Sequence, residues 1–258
     1  DDGAQAVAAF RRRVAAGDPA VASQTRYAVV TVLDRTVTSV EADGTGYALT
    51  HVVRLALDEA GADQLGELRP PPRARLLALR TLGADGRVRW PERIQGKPDL
   101  SFTGLKPGDA VEYAWIEPVS HRPEEAGYVG VLAFAGWEVP TLDKRADVIV
   151  APPLTLQPRP WHGAPSAQVT TLPDGRVRWR WQARDLPAIP HEPGAPGARA
   201  FFPLVDLVLV PQGTPDSVAG DAAAWRAVAR WYGARLAWLT APGPEARAVV
   251  AGLPGDTP

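Results

Sequence analysis

The sequence predicts a mainly β protein: a large antiparallel β-sandwich with a short N-terminal helix and one or two C-terminal helices. Three observations carry this expectation. Asp-Gly pairs separate runs rich in Val, Thr and Tyr, the pattern of β-hairpins. Turn signals recur every ~10–20 residues with little helical periodicity between them. The chain has 258 residues, 45% of them apolar, enough to bury a sizeable core.

The elements follow in order. Ala4 to Ala16 reads as a helix, because Val7, Phe10 and Val14 recur at spacings of three and four before Gly17-Asp18-Pro19 stops the run. Thr25 to Val40 reads as a strand, Asp43-Gly44 as its turn, and Tyr47 to Leu57 as the returning strand. Arg73 to Leu82, the turn Asp85-Gly86 and the short strand Arg87 to Trp90 come next. Pro107-Gly108-Asp109 opens a strand from Ala110 to Pro118. Tyr128 to Trp137 and Ala146 to Ala151 read as further strands. A last hairpin runs from Gln168 to Leu172, through Asp174-Gly175, to Arg176 to Ala183. Gly44, Gly86, Gly108 and Gly175 are therefore the expected structural turn residues.

One hexapeptide, Asp-Gly-Arg-Val-Arg-Trp, occurs at both 85–90 and 174–179. Two similar hairpins, with arginines outward and Val and Trp inward, explain the echo more simply than an internal duplication. The Pro-rich stretch Leu186 to Pro211 is expected to cross over the β-domain in extended form, since Phe201, Phe202 and the run Val205 to Val210 are too apolar for solvent. Asp221 suits an N-cap for a helix over Ala222 to Leu239, with Trp225, Val228, Ala229, Tyr232 and Leu236 on one face. Glu245 to Leu253 starts another short helix. The chain thus divides into an N-terminal helix and linker (1–22), a β-sandwich (23–212) and a C-terminal helical segment (213–258).

Composition excludes several roles. Net charge is −1 and the isoelectric point about 6.5, so no global field attracts nucleic acid or anionic membrane. The longest nearly apolar run, Tyr128 to Trp137, is about half the length of a membrane span. The absence of cysteine excludes disulfides, thiolate metal sites and a cysteine nucleophile, and leaves the redox compartment open. With no methionine, even at position 1, the sequence reads as a trimmed, processed or excerpted part of a longer product.

Few residues invite a chemical reading. His51, His121, His162 and His191 are widely separated and lack metal-ligand spacing, so no metal site is expected. No phosphate loop, dinucleotide fingerprint or Gly-x-Ser-x-Gly elbow is present, and no cofactor is expected. Asp109, Glu112 and Glu117 invite a glycoside-hydrolase reading, which needs two carboxyls flanking a sugar. Positions 112 and 117 differ in strand parity, however, and Asp109 suits a turn. Among nine tryptophans, Trp90, Trp115, Trp137, Trp179 and Trp181 sit in or beside predicted strands, where packing explains them. Trp161, in a predicted loop with Pro160 and His162, is the best exposed candidate for a ligand or partner contact. The clusters Arg11-Arg12-Arg13 and Arg176, Arg178, Arg180 read as solvated faces, with local docking to an acidic partner as the second choice.

The ordered set of turns resembles the bacterial domain of unknown function 3857. The resemblance rests on Asp43-Gly44-Thr45, Asp85-Gly86, and Leu105 to Asp109 with Val111-Glu112-Tyr113 behind it. It continues through Ala151-Pro152-Pro153, Ile189 to Glu192 and the segment Ala224 to Tyr232. It implies a β-rich domain ahead of a transglutaminase-like core whose Cys, His and Asp have no counterpart in this chain. The implied role is a non-catalytic accessory or protein-interaction module, partnered by another protein or by the adjacent core, in an extracytoplasmic setting (periplasm or cell envelope). A cell-envelope sandwich that binds glycan or another ligand through exposed aromatics is the alternative.

Overall fold

The computed structural model describes residues 2–96, 98–120, 128–190 and 192–213, with isolated positions between 229 and 248. The helices expected over Ala222 to Leu239 and Glu245 to Leu253 lie almost wholly outside the described residues, as do His121 and His191. Helix α1 (Asp2–Ala15) and the single turn α2 (Pro19–Ala22) lead into the long hairpin β1 (Val29–Val40) and β2 (Thr45–Ala56). Helix α3 (Glu59–Gln64) follows, then β3 (Glu67–Leu68), β4 (Arg75–Leu82), β5 (Val88–Arg89), β6 (Glu92–Arg93) and β7 (Leu100–Ser101). Next come β8 (Ala110–Ser120), β9 (Tyr128–Ala133), β10 (Gly136–Trp137), β11 (Thr141–Val150) and β12 (Leu154–Trp161). The hairpin of β13 (Gln168–Thr171) and β14 (Val177–Leu186) precedes β15 (Ala188–Ile189), a 3-10 turn (Ala198–Ala200) and β16 (Leu204–Pro211).

The fold is mainly β and rich in antiparallel pairing. Its largest sheet has eight strands in the order β13-β14-β11-β1-β2-β8-β4-β5, in which only β1 and β11 pair parallel. A three-stranded sheet, β12-β16-β9, packs on one face of it to make the sandwich. The small sheet β3-β7-β6 and the parallel pair β10-β15 complete the strands.

Strand β1 is built of Val and Thr, whose branched side chains suit a pleated surface, and it lines both faces of the large sheet. It carries one extra residue against β2 between Thr31 and Leu33. The bulge turns Val32 and Leu33 to the same side, where they meet Val7 and Phe10 of α1, Val21, Val53 and Leu55. Beyond the bulge the parity is reversed. Asp34 and Val40 now share the opposite face, called inner here because the second sheet packs on it. There Val40, Val148, Val150, Trp179 and Trp181 meet Leu154 and Leu156 of β12 and Val205, Leu207 and Leu209 of β16. Further along the inner face, Val29, Val52, Val111 and Tyr113 pack with Ala62 and Leu65 around α3 and with Phe102.

Several expectations are corrected in detail. Helix α3 interrupts a stretch that reads as non-helical. It has only six residues, and its signal is the N-cap, where Asp58 Oδ1 accepts from Gly61 N at 2.8 Å. Strand β12 occupies a stretch read as a strand break and loop. Its Pro158 and Pro160 share parity on an edge strand, where a missing N–H faces outward at no cost to the ladder. The Pro-rich crossing does lie on the domain, and its end, β16, becomes the middle strand of the second sheet.

The repeated hexapeptide makes two turns with the same bonds. Asp85 Oδ1 accepts from Arg87 N at 2.9 Å, and Asp174 Oδ1 from Arg176 N at 3.1 Å. Their tryptophans differ. Trp179 is 7% exposed in the sandwich core, whereas Trp90 is 68% exposed beside the two-residue edge strand β5, against the inward placement expected for both. Trp179→Ala should therefore lower stability by about 3–5 kcal/mol. Trp90→Ala should stay within about 0.5 kcal/mol. Urea unfolding midpoints of the two variants check the contrast.

Candidate functional site

The turn glycines Gly44, Gly86, Gly108 and Gly175 adopt φ of 80°, 81°, 89° and 83°. At Gly108 the left-handed backbone also leads directly into a buried acid. Asp109 Oδ1 accepts from Ala84 N at 2.8 Å, Oδ2 accepts from Lys106 N at 3.1 Å, and the Arg89 guanidinium pairs with Oδ2. Asp109 thus ties the turn before β8 to the turn after β4.

Glu112 of β8 lies on the outer face, the side that α1 covers. It is 3% exposed. His51 Nε2 donates to its Oε1 at 2.8 Å and Arg80 Nε donates to its Oε2 at 2.7 Å. A Cβ on Gly3, in the first turn of α1, would come within 2.5 Å of the same carboxylate. The helix therefore closes directly over the ion pair, with its N-terminal end toward the negative charge. Burial alone would raise the Glu112 pKa. The hydrogen bonds from His51 and Arg80 outweigh that and hold it below the usual carboxylate range. Arg11 Nη2 donates to Gly108 O at 2.7 Å, and Arg13 bonds Asp18 at 2.7 Å and Asp185 at 2.7 and 3.0 Å, so three sides of α1 are fastened.

This geometry bears on the carboxylates considered from sequence. Glu112 pairs across the ladder with Val53 and Glu117 with Ala48, so the two have opposite parity and face opposite ways. Asp109 and Glu112 spend their oxygens on turn amides, arginines and His51, and the three acids do not converge on one cleft.

A row of arginines crosses the rest of the outer face. The parallel register sets Arg35 of β1 beside Arg145 of β11, and the antiparallel register sets Arg180 beside Asp147 and Arg178 beside Ile149. Arg35 is answered by Asp2 at 2.5 Å and Arg180 by Asp147 at 2.6 and 3.0 Å. The Nε atoms of Arg145 and Arg178 are buried without a hydrogen-bond partner among the described residues. Sequence reasoning singled out Arg176, Arg178 and Arg180 but missed Arg35 and Arg145, which join the row only through pairing between strands over 100 residues apart. A cavity of about 570 Å³ runs alongside α1 below this row. The ion pairs of Asp2 with Arg35 and of Arg13 with Asp185 lie in its wall.

Trp161 ends β12, where a loop was expected, and is 49% exposed. Its indole N–H donates to Asp206 Oδ2 at 2.8 Å, while Arg199 donates to Asp206 Oδ1 at 2.8 Å. His162 follows with φ 51° and lies 3.2 Å from Arg199 O through Nε2. The exposed ring is therefore held from behind by a buried acid.

Removing the Glu112 charge takes the charged acceptor from His51 and Arg80 under α1. Glu112→Gln should cost about 1–3 kcal/mol at pH 7. Because the folded-state pKa lies below the unfolded value, the contribution is complete above the unfolded pKa of about 4.3 and fades as pH falls through the folded one. The stability gap between wild type and variant should thus shrink below about pH 4, as denaturation curves at a series of pH values would register.

Comparison with known proteins places these features. Residues 100–190 match the profile of the family described as "Domain of Unknown Function with solved-structure structure (DUF3857)". The crystal structure of a candidate protease from Parabacteroides distasonis aligns over 70% of this chain and 40% of its own length, with 16% identity and a TM-score of 0.56. An M1 zinc metallopeptidase from Deinococcus radiodurans aligns over 71% of this chain and 42% of its own, at 11% identity and TM-score 0.38. Aminopeptidase A of Legionella pneumophila aligns over 70% and 21%, at 10% identity and TM-score 0.35. The chain therefore spans less than half the length of each of these proteins. The first likeness is one of fold, and the other two are too distant to carry an argument. No curated protein matches the chain. From β7 through β15, then, the chain matches the domain of unknown function 3857, the family that the order of its turns resembles.

Proposed function

We propose that this chain is a non-catalytic accessory module that docks an acidic protein surface on the outer face of its large sheet. The favoured partner is a transglutaminase-like core in the same polypeptide, in an extracytoplasmic setting. One observation carries the docking: Arg35 and Arg145 adjoin across β1 and β11, Arg178 and Arg180 follow two apart on the neighbouring β14, and among the described residues only two acids, Asp2 and Asp147, pair with any of the four. Adjacent like charges on neighbouring strands repel, and a partner's carboxylates would relieve them. Arginine suits this role because its planar fork takes a carboxylate with two parallel hydrogen bonds. The chain's net charge of −1 makes this a local complementarity rather than a general attraction to polyanions.

The second reading is a glycan platform at Trp161. Its half-exposed ring is locked by Asp206, and Arg199 and His162 supply polar groups at its edge. A rigid aromatic plane with hydrogen-bonding neighbours fits the apolar face of a sugar. The alignment with a peptidase-like fold supports no peptidase activity here.

Site-specific photo-crosslinking separates the two readings. A photoreactive phenylalanine replaces Ile149, between the arginine strands, in the full protein in its source cell. The docking reading expects crosslinks to an acidic peptide, from beyond Pro258 or from a distinct protein, and a drop of about tenfold in their yield with Arg145→Glu plus Arg178→Glu. Crosslinks that survive the double substitution, or none at all, contradict it. Tryptophan quenching by polysaccharides that Trp161→Ala removes would favour the glycan platform instead.

A further inference from the structure

A second recess opens on the inner face, between the α3 cluster and the sandwich core, with a volume of about 440 Å³. That size and a mixed apolar and polar wall are typical of small-ligand sites. Asp34 and Lys144 lie in its wall and form a direct ion pair, so these two charges cancel. Arg54 lies beside them. Its Nε is buried and has no hydrogen-bond partner among the described residues. Among the described lining residues Asp34 is the only carboxylate, so these residues leave one positive charge uncompensated. Gln64 at the end of α3 adds an amide. Trp137 and Val139 form the apolar side, and Trp137 is braced by Phe201 and Phe202 at ring-centre distances of 5.5 and 4.8 Å.

We propose that this recess binds a compact monocarboxylate with an apolar body, its carboxylate on the Arg54 guanidinium and its body against Trp137 and Val139. Among the described residues one cation, Arg54, is left over, and it matches one negative charge. A phosphate dianion would need a second, and Lys144 is already neutralised by Asp34. A divalent cation would find a single carboxylate and a repelling arginine. Arg54 is half-buried, its Nε is shut off from solvent without a partner among the described residues, and a ligand carboxylate supplies the bidentate acceptor it lacks. The same chemistry belongs to a free small acid and to the C-terminal end of a peptide.

Titration followed by heteronuclear NMR tests this, with the Trp137 indole signal reporting location. The probes are N-acetylphenylalanine, its uncharged amide, and phenylacetate. N-acetylphenylalanine should bind with a dissociation constant of about 1 mM or tighter. The amide should bind about tenfold or more weakly, because Arg54 then gains no charge partner. Arg54→Gln should weaken the acid about tenfold, whereas removing the cancelled pair together, Asp34→Asn plus Lys144→Gln, should change it less than about threefold. Phenylacetate binding as tightly as the acetylated acid supports the proposal with a free small acid as ligand. Weaker phenylacetate binding supports it with a peptide end. Equal affinity for acid and amide, no binding of either, or undiminished binding by a folded Arg54→Gln protein would overturn it. Should Arg54→Gln fail to fold, the acid–amide comparison on the unaltered protein still decides.

Discussion

The structure turns on how one strand serves two faces. An eight-stranded sheet exposes two broad surfaces, and no single element here is large enough to cover either. Strand β1 resolves this with the extra residue at its bulge. Before and within it, Val30, Val32 and Leu33 point to α1. After it, alternate residues from Asp34 to Val40 point to the opposite side. One side thus receives a helix and the other a second sheet, and both covers rest on the same twelve-residue strand. The same shift of parity places Asp34 beside Lys144 on the inner face and Arg35 beside Arg145 on the outer one. Charge enters the middle of the sheet because a local backbone irregularity sends it there.

The polar groups beneath α1 follow from that arrangement. A helix laid across a sheet has to meet whatever the sheet presents, and its first turn meets Glu112. The acid is tolerable because both oxygens are satisfied, and Gly3 leaves the space. The result fixes where α1 starts along the sheet more tightly than apolar contact would, since apolar contact is non-directional. Beyond that start the outer face changes character, from Val and Leu under the helix to arginines. The inner recess lies where the α3 cluster and the sandwich core fail to meet, and its two basic side chains and single acid come from three adjacent strands.

Much of this was legible in the residues, and the limits have physical causes. The Asp-Gly turns were readable because positive φ and an Asx bond to the residue two places on are local requirements. The two identical hexapeptides show how far local information reaches. Both make the same turn, yet only Trp179 is buried, because β14 is an inner strand of the large sheet and β5 a two-residue edge. Strand β12 was hidden by prolines that an edge strand tolerates. The opposite facing of Glu112 and Glu117 was visible from parity alone. The burial of Glu112 was not, because it depends on α1, at the far N-terminal end of the sequence. The arginine row and the Arg54 recess needed the parallel pairing of β1 with β11, which no local pattern announces.

Architecture and proposed role meet at the outer face. Apolar surface there is closed by a helix that belongs to the fold, while the arginine row beside it is only half-answered from within. That division is expected of a module that folds by its own core and uses a charged face for a neighbour. Pairing with a transglutaminase-like core is tested most directly by the mass and C-terminal peptide map of the native protein from its source cell. It predicts a product extending a hundred or more residues past Pro258 (roughly a domain's length), with a cysteine, a histidine and an aspartate in the added part. A native C-terminus near Pro258 would contradict the pairing with a transglutaminase-like core.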